Sequence, residues 1–252
     1  MGPMVAGFFK NSSRIRLLAW VALFTVGCGS AAPATKAPAT AAAASASPKA
    51  QAPANAPPRP ADAGAAAAYY DERAPLLLKG DTAAIAATDF ARLRRGRLYS
   101  HAERIPRELD EALEAAMRKD DPNAVLDNAT KILGYDATDA RAHIVSAAVF
   151  HQAGAAGQSD IQATLARALL DSLGKSGNGA GFETAWTVYA VKEEYQFLFA
   201  IGLEVRGQRL VPHGDRHYDV LAVEDPKTGR GGEAYFDVTE LYAEEGRTLE
   251  SH

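Results

Sequence analysis

The amino-acid sequence predicts an α+β fold in which antiparallel helical pairs pack with a small antiparallel β-meander. Three observations carry that expectation. Residues 69–175 place apolar side chains at helical spacing, and residues 182–245 pass into alternating, strand-like runs broken by turn signals. The chain before residue 69 holds too few bulky apolar residues outside one short run to join a core. A net charge of -4 gives no reason to expect nucleic acid as a partner. With one cysteine no internal disulfide can form, even in an oxidising compartment.

The N-terminal segment defines an address. Lys10, Arg14 and Arg16 precede an uninterrupted apolar stretch, Leu17 to Val26, which is far shorter than the roughly 20 residues of a spanning helix. It reads as the apolar core of a lipoprotein signal peptide that spans residues 1–27. The next residues, Thr25-Val26-Gly27-Cys28, resemble the lipobox of bacterial lipoproteins. That resemblance implies cleavage before Cys28, acylation of its sulfur, and, with Gly29 rather than aspartate following, an outer-membrane destination facing the periplasm or the surface. Physically, a thiol at the exit of a short apolar segment sits where acyl chains can reach it, and several chains anchor stably where one does not.

Residues 28–68 form an Ala/Pro-rich tether. From Ala31 to Ala68 it contains no Leu, Ile, Val or aromatic residue, so nothing offsets the entropy of ordering it. Its prolines favour extended segments, giving a reach of roughly 35 Å as a coil and up to ~100 Å when stretched. The alanines from Ala65 to Ala68 are open to assignment to the first helix.

A single α+β domain is expected over residues 69–252, helical over 69–175 and α/β over 182–245. Arg107 to Met117 puts Leu109, Ala112, Leu113, Ala116 and Met117 on one face. Asp121 and Pro122 open the next helix, with Val125, Ala129, Ile132 and Leu133 as its stripe and Gly134 at its end. Thr138 or Asp139 starts a third, running through Val145 and Val149 to Gly154. Ser159 and Gln162 are spaced as a capping box for a fourth, ending at Gly174. Glu183 to Val191 is rich in β-branched and aromatic residues, and "KEEYQFLFAIG" returns to helical spacing through Tyr195, Leu198 and Phe199. Two hairpin turns follow, at Gly214-Asp215 and Lys227-Thr228-Gly229.

The helices, about 12–15 residues long with short connections, resemble tetratricopeptide-type pairs, although only about one and a half repeats fit; stacked repeats usually need three, so the meander must cover the open end. "DFARLR" (Asp89 to Arg94), "GFETAWTVYAVKEEYQFLFAIGLEVRGQRLV" and "HYDVLAVEDPKTG", in this order around the helical middle, resemble the bacterial domain-of-unknown-function family 4919 over about Tyr69 to Tyr242. The resemblance implies a secreted or lipoprotein envelope domain and carries no activity with it.

No catalytic set stands out. His213, Asp215, His217 and Asp219 in "PHGDRHYDV" offer two imidazoles and two carboxylates, which on one continuous strand face could hold zinc. The Gly214-Asp215 turn breaks that face, so no metal ligand set and no cofactor is assigned. His143 and His151 lie about 12 Å apart along a helix, too far to share an ion, and His143 reads as a surface histidine paired with Asp139. "GKSGNGAG" (Gly174 to Gly181) leaves a helix and enters a strand, the reverse of a phosphate loop, and reads as a flexible connector. Glu193-Glu194 and Glu244-Glu245 read as solvent-facing, and Trp186, Tyr189, Tyr195, Phe197 and Phe199 as core. The function expected is therefore a membrane-tethered envelope lipoprotein acting as a binding or scaffolding module, its partners the lipid at Cys28 and a protein or envelope polymer. The alternative is a metal-dependent or acid/base hydrolase with a site near the 213–219 hairpin.

Overall fold

Aspartates start four of the described helices. Asp81, Asp89, Asp121 and Asp139 sit in extended backbone, and their carboxylates accept the N–H of Ala84, Arg92, Ala124 and Ala142 three residues on. The computed structural model describes residues 58–250, and Cys28 with the tether up to residue 57 lies outside the described residues. Seven helices come first: α1 (Ala63–Leu78), α2 (Thr82–Ala86), α3 (Phe90–Tyr99), α4 (Arg107–Arg118), α5 (Pro122–Tyr135), α6 (Ala140–Gln152) and α7 (Ala156–Gly174). A 3-10 turn (Phe182–Thr184) then leads to β1 (Trp186–Thr187), α8 (Val191–Ala200), β2 (Glu204–His213), β3 (Arg216–Asp225), β4 (Arg230–Asp237) and α9 (Thr239–Glu250). The fold is α+β.

The chain divides into two compact units within the last turn of α7, the first comprising Gly64–Leu170 and the second the chain from Asp171 on together with residues 58–63. In the first, α5 packs against both α4 and α6. Leu113 and Ala116, then Val125, Ala129 and Ile132, then Ala142, Val145 and Val149 supply one apolar core from the three helices. These are the stripes that the sequence spacing marks. The α1 helix begins at Ala63, so the helical part reaches six residues into the stretch assigned to the tether.

Two expectations fail in this unit. Ser159 does not cap α7, which already starts at Ala156; its hydroxyl donates to the Ala147 carbonyl. Nor is His143 a surface residue. It is fully buried, with Nδ1 2.6 Å from the Gln162 amide and Nε2 3.1 Å from the Ala137 carbonyl.

In the second unit the sheet order is β1-β4-β3-β2. Both hairpins form at the turns the sequence marks, with His213 opposite Arg216 and Asp225 opposite Arg230. The sheet is mixed, however, and not a pure antiparallel meander. Trp186 and Thr187 pair in parallel with Phe236 and Asp237, and only these two residues of the Glu183–Val191 run are strand. The 3-10 turn before them and the start of α8 after them leave room for no more. Alternation along the ladder puts Asp219, Leu221, Gln208, Leu210 and Phe236 on one face, and Tyr218, Val220, Val211 and Tyr235 on the other, where they meet Phe182.

The glycine-rich loop is packed rather than a flexible connector. The N–H groups of Asn178 and Gly179 both donate to the Thr184 carbonyl, and the Gly179 carbonyl accepts Tyr235 N–H. A Cβ on Gly177 would lie 2.5 Å from the carbonyl oxygens of Thr184 and Ala185. The glycines are there because backbone and ring approach too closely for side chains.

Candidate functional site

The 213–219 hairpin does not gather its candidate ligands. His213 stacks on Phe182 with ring centroids 4.3 Å apart, and His217 stacks on Tyr242 of α9, also at 4.3 Å. Asp215 occupies the turn, and Asp219 points to the α8 face of the sheet. Among the described residues, no group of three or more His, Cys, Asp or Glu could hold a metal ion.

Asp219 instead belongs to an acidic cluster at α8. The start of that helix explains one of the two glutamates: Glu193 reaches back to accept Tyr189 N–H at 2.8 Å, satisfying a donor just before the first turn. The next residue turns toward the sheet. Glu194 has no exposed surface and shares its face of α8 with buried Phe197 and Leu198. No N–H group reaches either of its carboxyl oxygens; its polar neighbour is the Asp219 carboxyl, to which a protonated Glu194 donates. Glu193, Glu194 and Glu244 are thus all buried, against the expectation of solvent-facing pairs.

Burial penalises the Glu194 carboxylate first, and the charge of Asp219 second, pushing its pKa from 4.5 up to about 10. Asp219 is raised too, chiefly by burial, although the Gln208 N–H it accepts at 2.6 Å favours its charged form. Gln208 in turn accepts the Tyr195 hydroxyl at 2.5 Å. Burial, and then the neighbouring Glu194 and Asp219 charges, raise the Tyr195 phenol as well. The result is a chain from half-exposed Tyr195 through Gln208 and Asp219 to buried Glu194, in which Glu194 keeps its proton at neutral pH. Burial raises the pKa of both carboxyl groups, and it encloses Glu194 away from solvent.

The outer side of α8 is apolar. Val191, Tyr195 and Phe199, at i, i+4 and i+8, are 41%, 39% and 57% exposed, with Ile201 following and Leu210 of β2 on the sheet face that Tyr195 reaches. Tyr195 and Phe199 are therefore surface, not core. The signal that distinguishes the two sides of α8 is the pair of glutamates at the N-terminus: one had to cap, and the other fell on the inward face.

The second unit is thus a helix-covered mixed sheet with a protonated acid beneath one helix and an apolar stripe on top of it. The chain belongs to the family described as a domain of unknown function (DUF4919), which matches residues 88–247 and so more than half of its length. Glu194 and Tyr195 lie in the E-E-Y stretch, and Asp219 in the Y-D-V stretch, through which the sequence resembles that family. No curated protein and no solved structure matches the chain.

Proposed function

We propose that the protein is a lipid-anchored component of the bacterial cell envelope whose folded part is a binding or scaffolding module. Cleavage before Cys28 and acylation of its sulfur hold the chain at the outer membrane, and the Ala/Pro tether sets the distance over which the folded part can search. Support for the address comes from the basic residues, the short apolar run and the cysteine at its exit. The α4–α5–α6 layer, with short connections and α5 between its neighbours, supports a tetratricopeptide-like arrangement of the first unit.

The observation that carries the binding role is the stripe of Val191, Tyr195 and Phe199 on α8, continued by Ile201 and Leu210. Large apolar side chains exposed along one helix face in this way cost solubility unless something covers them part of the time. The partner is a protein or an envelope polymer.

A photo-crosslinking side chain at position 199, with one at position 131 on the exposed face of α5 as control, tests the role in intact cells. Adducts formed from position 199 and abolished by Ile201→Ser together with Leu210→Ser are expected, and digestion with protease or glycan hydrolase tells the two partner classes apart. Equal yields from both positions would remove the binding surface. Mass spectrometry of the mature chain decides the anchor separately: an acylated Cys28 at the N-terminus is expected, and an unmodified one refutes it.

A further inference from the structure

The fully buried Glu194 has no donor for either carboxyl oxygen. Every titratable group that acts on it is acidic: Asp219 from β3 and Glu193 from its own helix. From β2, Gln208 directs its N–H to Asp219 and its carbonyl to the Tyr195 hydroxyl of α8. An ionised Glu194 in this setting would be an uncompensated buried charge beside a second carboxylate, and the docked fold disfavours it strongly. The remedy open to it is to reach water, and Glu194 sits on the face of α8 that packs on the sheet, so reaching water means lifting α8.

We propose that α8 is a proton-dependent latch: with a proton on Glu194 the helix lies docked on the sheet, and giving up the proton releases it. The open form has an ordinary carboxyl, ionised above about pH 4.5, whereas the docked form keeps the proton up to about pH 10. Docking therefore takes up one proton across that window, and its equilibrium weakens as pH rises. Acid tightens the latch. The outward stripe of Val191, Tyr195 and Phe199 travels with the helix, so pH would set how rigidly that surface is held. The latch rests on the geometry of the second unit and stands whether or not the stripe binds a partner.

Hydrogen exchange of the α8 amides in the full-length protein, corrected for intrinsic rates, tests it between pH 5 and 9. The α8 opening constant should rise about tenfold per pH unit in the native protein and be flat in Glu194→Gln, where α8 is also better protected at pH 8. Asp219→Asn should keep the Glu194 slope. A native opening constant independent of pH, or a slope that survives Glu194→Gln, overturns the latch. Should Glu194→Gln fail to fold, the carboxyl carbon-13 resonance of Glu194 in the native protein decides: a protonated shift persisting through pH 8 supports it, and an ionised shift at pH 7 refutes it. Trp186, whose ring lies 4.8 Å from that of Phe197 on α8, gives an independent optical report of release.

Discussion

Gly96 of α3 lies directly against the backbone of Ala66 in α1. A Cβ built on it would overlap the Ala66 carbonyl oxygen and come within 2.9 Å of the Tyr70 Cβ. The two helices cross at a point where only hydrogen fits, and Leu93 and Tyr99 of α3 are buried on either side of it.

Gly96→Ala should therefore destabilise the first unit although alanine is the better helix former. The helix-propensity gain is about 1 kcal/mol, while overpacking against backbone costs typically ~1–3 kcal/mol and more where the backbone itself must move. A lowered urea midpoint for the first unit, with α1 and α3 amides losing protection together, is the expected outcome. An unchanged or raised midpoint would show that the helices separate freely.

His143 gives the first unit a pH dependence opposite in sign to that of the latch. Burial is the largest influence on its ring and lowers its pKa below 6.5, against the opposing pull of Gln162, the Ala137 carbonyl, Asp139 and Asp136. The ring lies between two acceptors, Gln162 Oε1 at Nδ1 and the Ala137 carbonyl at Nε2; both favour the charged form, and full burial outweighs them. The folded pKa is depressed, so the unfolded chain takes up a proton first as pH falls through 6.5. Stability present above that pH is then lost, at up to about 1.4 kcal/mol per unit. Amide exchange in α5 and α6 should thus quicken between pH 6.5 and 5 while α8 becomes better protected, and His143→Gln should flatten the former without touching the latter.

What the sequence made legible follows from which physical signals are local. The stripes of α4, α5 and α6, the aspartate caps of α5 and α6 and both hairpin turns depend on residues a few positions apart, and each lies where spacing and turn chemistry put it. The pairing of Trp186 with Phe236 spans 50 residues and is parallel, and no local pattern encodes it. The inward face of α8 misled for a different reason. Tyr195, Leu198 and Phe199 have the spacing of a buried stripe, yet Leu198 is buried with Glu194 and Phe197 while Tyr195 and Phe199 face out. A buried glutamate violates the rule that charges lie outside, and that violation marks the cluster. His143 hid in the same way, a polar residue beside Ser146 on a helix buried nearly all round.

Gly179 predicts a local and spectroscopically visible failure. Its φ is 66°, a conformation glycine adopts at no steric cost, and a Cβ there would land in the Trp186 ring. Gly179→Ala must either rotate Trp186 away from Phe197 and Phe236 or open the loop that bonds to Thr184 and Tyr235. Either route should shift Trp186 emission and lower the stability of the second unit by about 1–3 kcal/mol, whereas Gly181→Ala, with open space around it, should do neither. Identical spectra for the two variants would refute the packed loop.

Arg59, between Pro58 and Pro60, pairs with Glu244 of α9 through both Nε and Nη2, and Arg247 bonds the same carboxylate at 2.7 Å. Burial pushes the Glu244 carboxyl up, but the two guanidinium groups outweigh it and hold it below 4.5. Because the Arg59 side chain is half exposed, its share of the stability is that of a surface pair, under about 1 kcal/mol. Its positional effect is larger, since the pair fixes where the chain leaves the fold. Arg59→Ala should leave the unfolding midpoint almost unchanged while speeding protease cleavage around residues 58–62 several-fold. Glu244→Gln, which loses the charge for both arginines, should speed it further and cost more stability. The depressed Glu244 pKa adds stability present above 4.5 and lost as pH falls below it, so cleavage of the native chain should quicken below about pH 4.5 and that of Arg59→Ala should change less. Equal cleavage rates in native and Arg59→Ala protein at neutral pH would mean that the segment around residues 58–62 is not held by this pair at all.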